Sequence, residues 1–325
     1  MPNRYLVTGG AGFIGSHLVR RLVSDGAVAV RVVDNLSTGQ SVRLDDLRRS
    51  IEFINGDLAD LQVSEEVVKG VEYVLHQAAI PSVQRSVRDP IGTNRANVTA
   101  TLNLLESCRK SGVRRLIYAA SSSAYGDTEV LPKHEEMSPN PLSPYALQKL
   151  VGERYCKLYY DLYGLETVSL RYFNVFGPSQ DPHSEYSAVI PKFITRLLAS
   201  ESITIYGNGE QSRDFTYVDN VVDANLLALR AVDGPGKVLN VGCGERINLN
   251  TLIQLLERII GVKANINYAD PKPGDVRHSL ADVALARRIL TYEPKIMVEE
   301  GLRRTVEAVI KSAENRAGSS RKEKC

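Results

Sequence analysis

A chain of 325 residues is long enough for two domains or one large one, with a substantial core. Its 43% hydrophobic and 24% charged content is that of a soluble globular protein, and a net charge of +2 gives no general attraction for nucleic acid or an acidic membrane. Cys108, Cys156, Cys243 and Cys325 are scattered without a CxxC pair or clustered histidines, which argues against a disulfide scaffold or a zinc site and fits a reducing cytoplasm.

The N-terminus, MPNRYLVTGGAGFIG, enters a strand and a Gly-rich turn at once, so no signal peptide is expected. No apolar run approaches the ~20 residues of a membrane span. Short apolar runs follow in order, YLVTGG, VAVRVVD, IEFINGD, YVLHQAA, RLIYAASS and TVSLRYFN, and they predict strands. Between them lie helical stretches such as SHLVRRLVSDG, NVTATLNLLESCRKSG and PYALQKLVGERYCKLYYDLYG. The alternation predicts a Rossmann-like, doubly wound parallel α/β sheet over residues 1–177. Beyond it come the turn-rich GPSQDPHSEYS, the helix VIPKFITRLLAS, the strand SITIYG, the helix VVDANLLALRAV, the strand VLNVGCGE and the helix LNTLIQLLERIIG. These predict a smaller mixed α/β domain over 178–312, with pieces near 214–243 returning to the first sheet. Residues 313–325 are polar and predict a flexible tail.

In TGGAGFIGSH, Gly9, Gly12 and Gly15 lie between a strand and a helix. Small residues let the turn close, let backbone N–H groups approach a pyrophosphate, and let helix pack on strand. Asp34 ends the next strand, 19 residues beyond Gly15. A carboxylate there binds adenosine ribose hydroxyls and repels a 2′-phosphate, so NAD is favoured over NADP. In SPYALQK, Ser143 and Pro144 fit the N-cap and first turn of a helix, and Tyr145 and Lys149 share one of its faces.

Joined to SSSAYG and RYFNVFG, these motifs resemble the extended short-chain dehydrogenase/reductase family, and more closely its NAD-dependent nucleotide-sugar 4-epimerases, from residue 4 to about 310. The resemblance implies that Gly9, Gly12 and Gly15, with the N–H groups of Phe13 and Ile14, hold the cofactor. It places Asp34 and Asn35 at the adenosine ribose, Asp57 and Leu58 at the adenine, and Ala78, Ala79, Asn97 and Phe173 along the cofactor. Its catalytic set falls on Ser121, Tyr145 and Lys149, with Ser122 and Ser123 as neighbouring candidates for the hydroxyl. A free Tyr near pKa 10 is a poor base at neutral pH. The Lys149 ammonium and the positive nicotinamide are expected to lower that value, while the serine donates to the sugar oxygen.

Dehydratase relatives follow the catalytic hydroxyl with an Asp-Glu pair, and decarboxylating relatives place a Glu there. Ser122 and Ser123 carry no carboxylate, which leaves reversible oxidation at one carbon and so epimerisation. For the UDP-sugar substrate the resemblance implies Asn174 and Arg213 at the diphosphate, and Ala188, Val189 and Tyr206 near the uracil. Lys272 stands where the family commonly has Arg, and Asp275 matches the acid that binds the uridine ribose or a neighbouring group. Ser279, with Ser82 lining the same pocket, leaves room for a 2-acetamido group, which implies UDP-GlcNAc/UDP-GalNAc alongside the plain hexoses. The competing readings are a strict UDP-glucose 4-epimerase, a 4,6-dehydratase and a non-catalytic NAD-binding sensor. The family also implies a homodimer through a four-helix bundle built from the two long helices of each copy.

Overall fold

The computed structural model describes residues 4–182, 189–270 and 276–322, with side chains up to 314. Strands β1 (Arg4–Thr8), β2 (Ala29–Asp34), β3 (Glu52–Asn55), β4 (Tyr73–His76), β5 (Arg115–Ser121) and β6 (Glu166–Tyr172) lie on the six apolar runs of the first half, β1 and β6 starting one residue earlier than their runs. They are followed by β7 (Val175–Phe176), β8 (Ile203–Tyr206), β9 (Ser212–Arg213), β10 (Thr216–Tyr217), β11 (Val238–Val241), β12 (Ile247–Asn248) and β13 (Ile266–Ala269). The helices of the first half are α1 (Phe13–Ser24), α2 (Leu61–Val67), α3 (Val83–Arg88), α4 (Pro90–Asn94), α5 (Ala100–Ser111) and α6 (Pro144–Tyr163). After them come α7 (Val189–Leu198), α8 (Val218–Arg230), α9 (Leu249–Ile260), α10 (Ala284–Leu290) and α11 (Val298–Lys322).

Seven strands form one sheet in the order β3-β2-β1-β4-β5-β6-β11, every pair parallel. A parallel sheet is covered on both faces, which explains why β4 is buried throughout and β5 is buried up to Ser121. On one face Leu18 and Leu22 of α1 meet Val221 and Ala224 of α8; on the other Leu104 and Cys108 of α5 meet Cys156 and Tyr159 of α6. A separate core joins Ile194 and Leu197 of α7, Ile203 of β8, Leu252 and Leu256 of α9, and Leu302 of α11. The segment 218–241 belongs to the large sheet, since α8 packs under it and β11 pairs with β6.

Ser143 caps α6 by accepting from Ala146 N at 3.2 Å, Pro144 occupies its first turn, and Gly164 closes it in the left-handed region at φ 71°. Where the sequence predicts a flexible tail from 313, α11 continues as helical backbone to Lys322. Ala313, Glu314, Arg316 and Ala317 are good helix formers, and they extend a helix already anchored at Leu302 and Val306. No helix of the described residues is long and apolar enough to cross a membrane.

Candidate active site

The C-terminal ends of the parallel strands carry Thr8, Asp34, His76, Ser121 and Tyr172 along one edge of the sheet. Strand order reverses between β1 and β4, and the crevice outside such a switch point is where open α/β sheets bind ligands. The Gly-rich turn fills this point tightly. A Cβ on Gly9, at φ +65°, would lie 2.7 Å from the Ala78 backbone, and one on Gly15 would lie 2.1 Å from Gly9 O. Gly12 caps α1 with no side-chain acceptor, so the positive end of a 12-residue helix faces the crevice, as a pyrophosphate requires.

Asp34 braces this turn. Its carboxylate accepts from Ala11 N at 3.0 Å and Leu36 N at 2.8 Å, and burial raises its pKa against those bonds. Each carboxylate oxygen has a further lone pair for a ribose hydroxyl. Exposed Asn35 forms a turn by accepting from Ser37 N, and Asp57 does the same with Ala59 N. Leu58 is buried against α5, and its carbonyl accepts from Asn103. Ala78 lies against Gly9, with Ala79 beside it. Asn97 sits in a single π-helical turn, Arg95–Thr99, where its side chain accepts from Ile80 N and donates to Gln148 of α6. Phe173 is fully buried and packs near Tyr125, beneath the crevice.

Tyr145, Lys149 and Ser121 come together where α6 crosses the end of β5. Ser123 donates to Ser121 Oγ through its N–H at 3.2 Å and its hydroxyl at 2.8 Å. That leaves the Ser121 proton for another acceptor, and the Ser121 hydroxyl is near enough to the Tyr145 phenol to favour its ionised form. Ser122 follows in the short 3-10 turn Ser122–Tyr125. Ser86 of α3 accepts from Tyr145 N at 3.0 Å and fixes the start of α6. Lys149 is 4% exposed; its ammonium donates to Ala119 O at 2.9 Å and stands 5.1 Å from the Tyr118 ring centroid.

The electrostatics differ from the sequence expectation in one respect. Burial raises the Tyr145 pKa and the Ser121 hydroxyl opposes it, whereas Lys149 directs its charge to β5 and to the Tyr118 face. Burial in turn lowers Lys149 to about 8. The protein alone therefore does not make Tyr145 a strong base, and a further positive charge in the crevice is needed to do so.

Sequence patterns missed a relay under these groups. Thr101 donates to Asn97 O, so its hydroxyl accepts from His76 Nε2 at 2.9 Å; His76 Nδ1 then accepts from Thr8 Oγ1 at 2.7 Å, and Thr8 Oγ1 accepts from Ala78 N. Burial, with the Lys149 charge, holds His76 neutral with a pKa of about 3. Gly152, one turn beyond Lys149, leaves room for the Tyr118 phenol, which a Cβ would meet at 2.2 Å.

The candidate substrate wall comes from strands of the second half. Asn174, at φ 25°, donates to Ser279 Oγ at 3.4 Å; Ser279 N donates to Ser212 O; and Arg213 donates to the carbonyls of Ser212 and Arg277. Asn174, Arg213 and Ser279 are thus one cluster. Its hub is Asp214, unremarked in the sequence, whose buried carboxylate accepts from Cys243 N, Gly244 N and Ala281 N at 2.8 to 3.1 Å. Burial raises Asp214 to about 6 in spite of these donors. Val189 opens α7 and exposed Tyr206 closes β8. Ser82 spends its hydroxyl capping α3, accepting from Arg85 N at 3.1 Å. Ala188, Lys272 and Asp275 lie outside the described residues.

Comparison with known proteins agrees with this geometry. The chain is 41% identical to the putative UDP-glucose 4-epimerase of Methanocaldococcus jannaschii over 303 residues, covering 93% of this chain and 96% of that one. Among solved structures, the Thermotoga maritima UDP-glucose 4-epimerase with UDP-glucose is 41% identical at a TM-score of 0.91, covering 95% of this chain and 99% of the other. The UDP-N-acetylglucosamine 4-epimerase of Methanobrevibacter ruminantium M1, in complex with UDP-N-acetylmuramic acid, is 40% identical at a TM-score of 0.91, covering 96% and 100%. Residues 5–242 match the NAD dependent epimerase/dehydratase family, and the chain belongs to that family.

Proposed function

We propose that this protein interconverts the C4 epimers of a UDP-hexose, with Tyr145, Ser121 and Lys149 as its catalytic residues. The observation that carries the reading is the Tyr145 phenol close to the hydroxyl of a serine that Ser123 polarises, on the same helix as a buried lysine, at the cofactor crevice. Bound NAD supplies a reversible hydride acceptor and a positive nicotinamide charge. Tyr145 takes the C4 hydroxyl proton as C4 is oxidised and returns it when C4 is reduced on its other face. Ser121 donates to the sugar oxygen, and Lys149, one turn along α6, would hold the ribose of the cofactor. Between the two half-reactions the 4-keto sugar turns about its link to the diphosphate, which Arg213 and Asn174 hold. Ser122 and Ser123 provide no carboxylate for water loss, which disfavours a dehydratase.

Ser279 is small and buried and leaves the sugar wall without a large side chain, which supports UDP-GlcNAc and UDP-GalNAc as substrates alongside the plain hexoses. Incubation with each UDP-sugar, followed by proton NMR of the anomeric signals, tests this. C4 epimers should form from either direction, and a 4-keto-6-deoxy product or no conversion would contradict the reading.

The enzyme is further read as a cytoplasmic homodimer. Its free Cys108, Cys156 and Cys243 fit a reducing compartment. Ile91, Leu147, Leu158 and Leu162 are exposed along α4 and α6, and Ile91 and Leu147 line an open apolar groove of about 370 Å³. A second copy pairing α5 and α6 across this face would cover it.

A further inference from the structure

A buried ion pair lies one helical turn beyond Lys149. Glu153 of α6 accepts two hydrogen bonds from Arg171 of β6, at 2.8 Å from Nε and 2.7 Å from Nη2, and both side chains are 2% exposed. The Arg171 guanidinium carbon stands 4.6 Å from the Tyr125 ring centroid, so the cation is sandwiched between a carboxylate and an aromatic ring. Arg171 Nη1 is buried and makes no hydrogen bond among the described residues. Tyr125 ends the serine turn that begins at Ser121, and its phenol donates to Asn240 of β11 at 2.7 Å. Two residues after Arg171 comes Phe173, and then Asn174.

A buried ion pair is weak evidence for stability, because desolvation offsets most of its attraction and apolar residues of similar size often serve as well. What a bidentate pair does supply is a fixed relative position. Glu153 is on the same helix as Tyr145 and Lys149, Tyr125 is on the same turn as Ser121, and Arg171 touches both.

We propose that Glu153 and Arg171 are positioning residues that hold the Tyr145–Lys149 helix in register with the Ser121 turn, so that the base and the hydroxyl donor meet one sugar oxygen. Neither residue touches the reacting atoms. The inference rests on the epimerase reading given above. It predicts that loosening the pair slows the chemical step, since misplacement of a reacting group by about 1 Å costs on the order of 10²-fold in rate. Binding of the nucleotide half is set elsewhere, by the Asn174–Arg213–Ser279 cluster, and should not change.

The test uses the double variant Glu153→Met/Arg171→Met, which removes both charges together, and Arg171→Lys, which keeps a cation but loses the fork. Thermal stability, bound NAD, UDP affinity, and kcat and KM for UDP-GlcNAc and UDP-glucose are measured beside the parent. The expected result is a kcat reduced by about 10²-fold in the double variant and about 10-fold in Arg171→Lys. NAD content and UDP affinity should match the parent in both. A purely structural role predicts the opposite split, with lowered melting temperature and unchanged kcat in whatever protein remains folded. Parental kcat in either folded variant would overturn the proposal. A parent that epimerises no UDP-sugar would instead overturn the functional reading, so the two failures are distinguishable.

Discussion

Replacing Lys149 by Met should destroy turnover and yet stabilise the protein at neutral pH. Burial lowers the Lys149 pKa from 10.5 to about 8. At about 1.36 kcal/mol per pH unit, keeping the ammonium charged at pH 7 disfavours folding by roughly 3 kcal/mol. The bond to Ala119 O, which the neutral amine also makes, returns about 1 kcal/mol, leaving a net gain for the Lys149→Met variant of about 2 kcal/mol. The sign with pH follows from proton uptake. Between about pH 8 and 10.5 the unfolded chain binds a proton at Lys149 that the folded protein does not, so parental stability rises with pH there relative to the variant. Denaturant unfolding of both NAD-free proteins from pH 7 to 10 should show the variant ahead at pH 7 and the parent ahead by about pH 10. A gap that does not vary with pH, or a variant clearly weaker at pH 7, would refute the electrostatic reasoning.

Three further outcomes are expected. Gly15→Ala places a Cβ 2.1 Å from Gly9 O, so the turn must open, and purified protein should carry little NAD by absorbance after denaturation; parental NAD content would contradict the cradle. Ser279→Tyr should lower kcat/KM for UDP-GlcNAc by about 10- to 100-fold and spare UDP-glucose, and undiminished UDP-GlcNAc turnover would remove Ser279 from the sugar wall. Leu147→Glu puts a charge into the apolar groove and should shift the molar mass from dimer to monomer by light scattering, whereas an unchanged mass would place the interface elsewhere.

The parallel sheet was legible because its strands are buried on both faces and therefore read as continuous apolar runs. The Gly-rich turn and the start of α6 were legible for a local reason, since turn closure and helix capping act within a few residues of sequence. What stayed hidden depends on partners far apart in the chain. Thr8 and His76 are 68 residues apart, and Ser86 and the Tyr145 N–H are 59 apart, so no spacing rule links them. Asp214 looked like one more polar residue in QSRDFTYVD, and only the return of β11 and the segment at 281 gives its carboxylate its donors. The i,i+4 spacing put Tyr145 and Lys149 on one face but could not show where the ammonium points, and β5 claims it.

In the proposed redox-neutral epimerisation, Tyr145 moves the C4 proton. The most direct measurement follows UDP-GlcNAc and UDP-GalNAc by NMR with the parent and with Tyr145→Phe, alongside the NAD content of each protein. The parent should reach one equilibrium mixture from both directions. Tyr145→Phe should retain NAD and lose turnover by about 10²- to 10⁴-fold, the range for removal of a general acid–base group. Turnover by Tyr145→Phe at the parental rate would contradict the account.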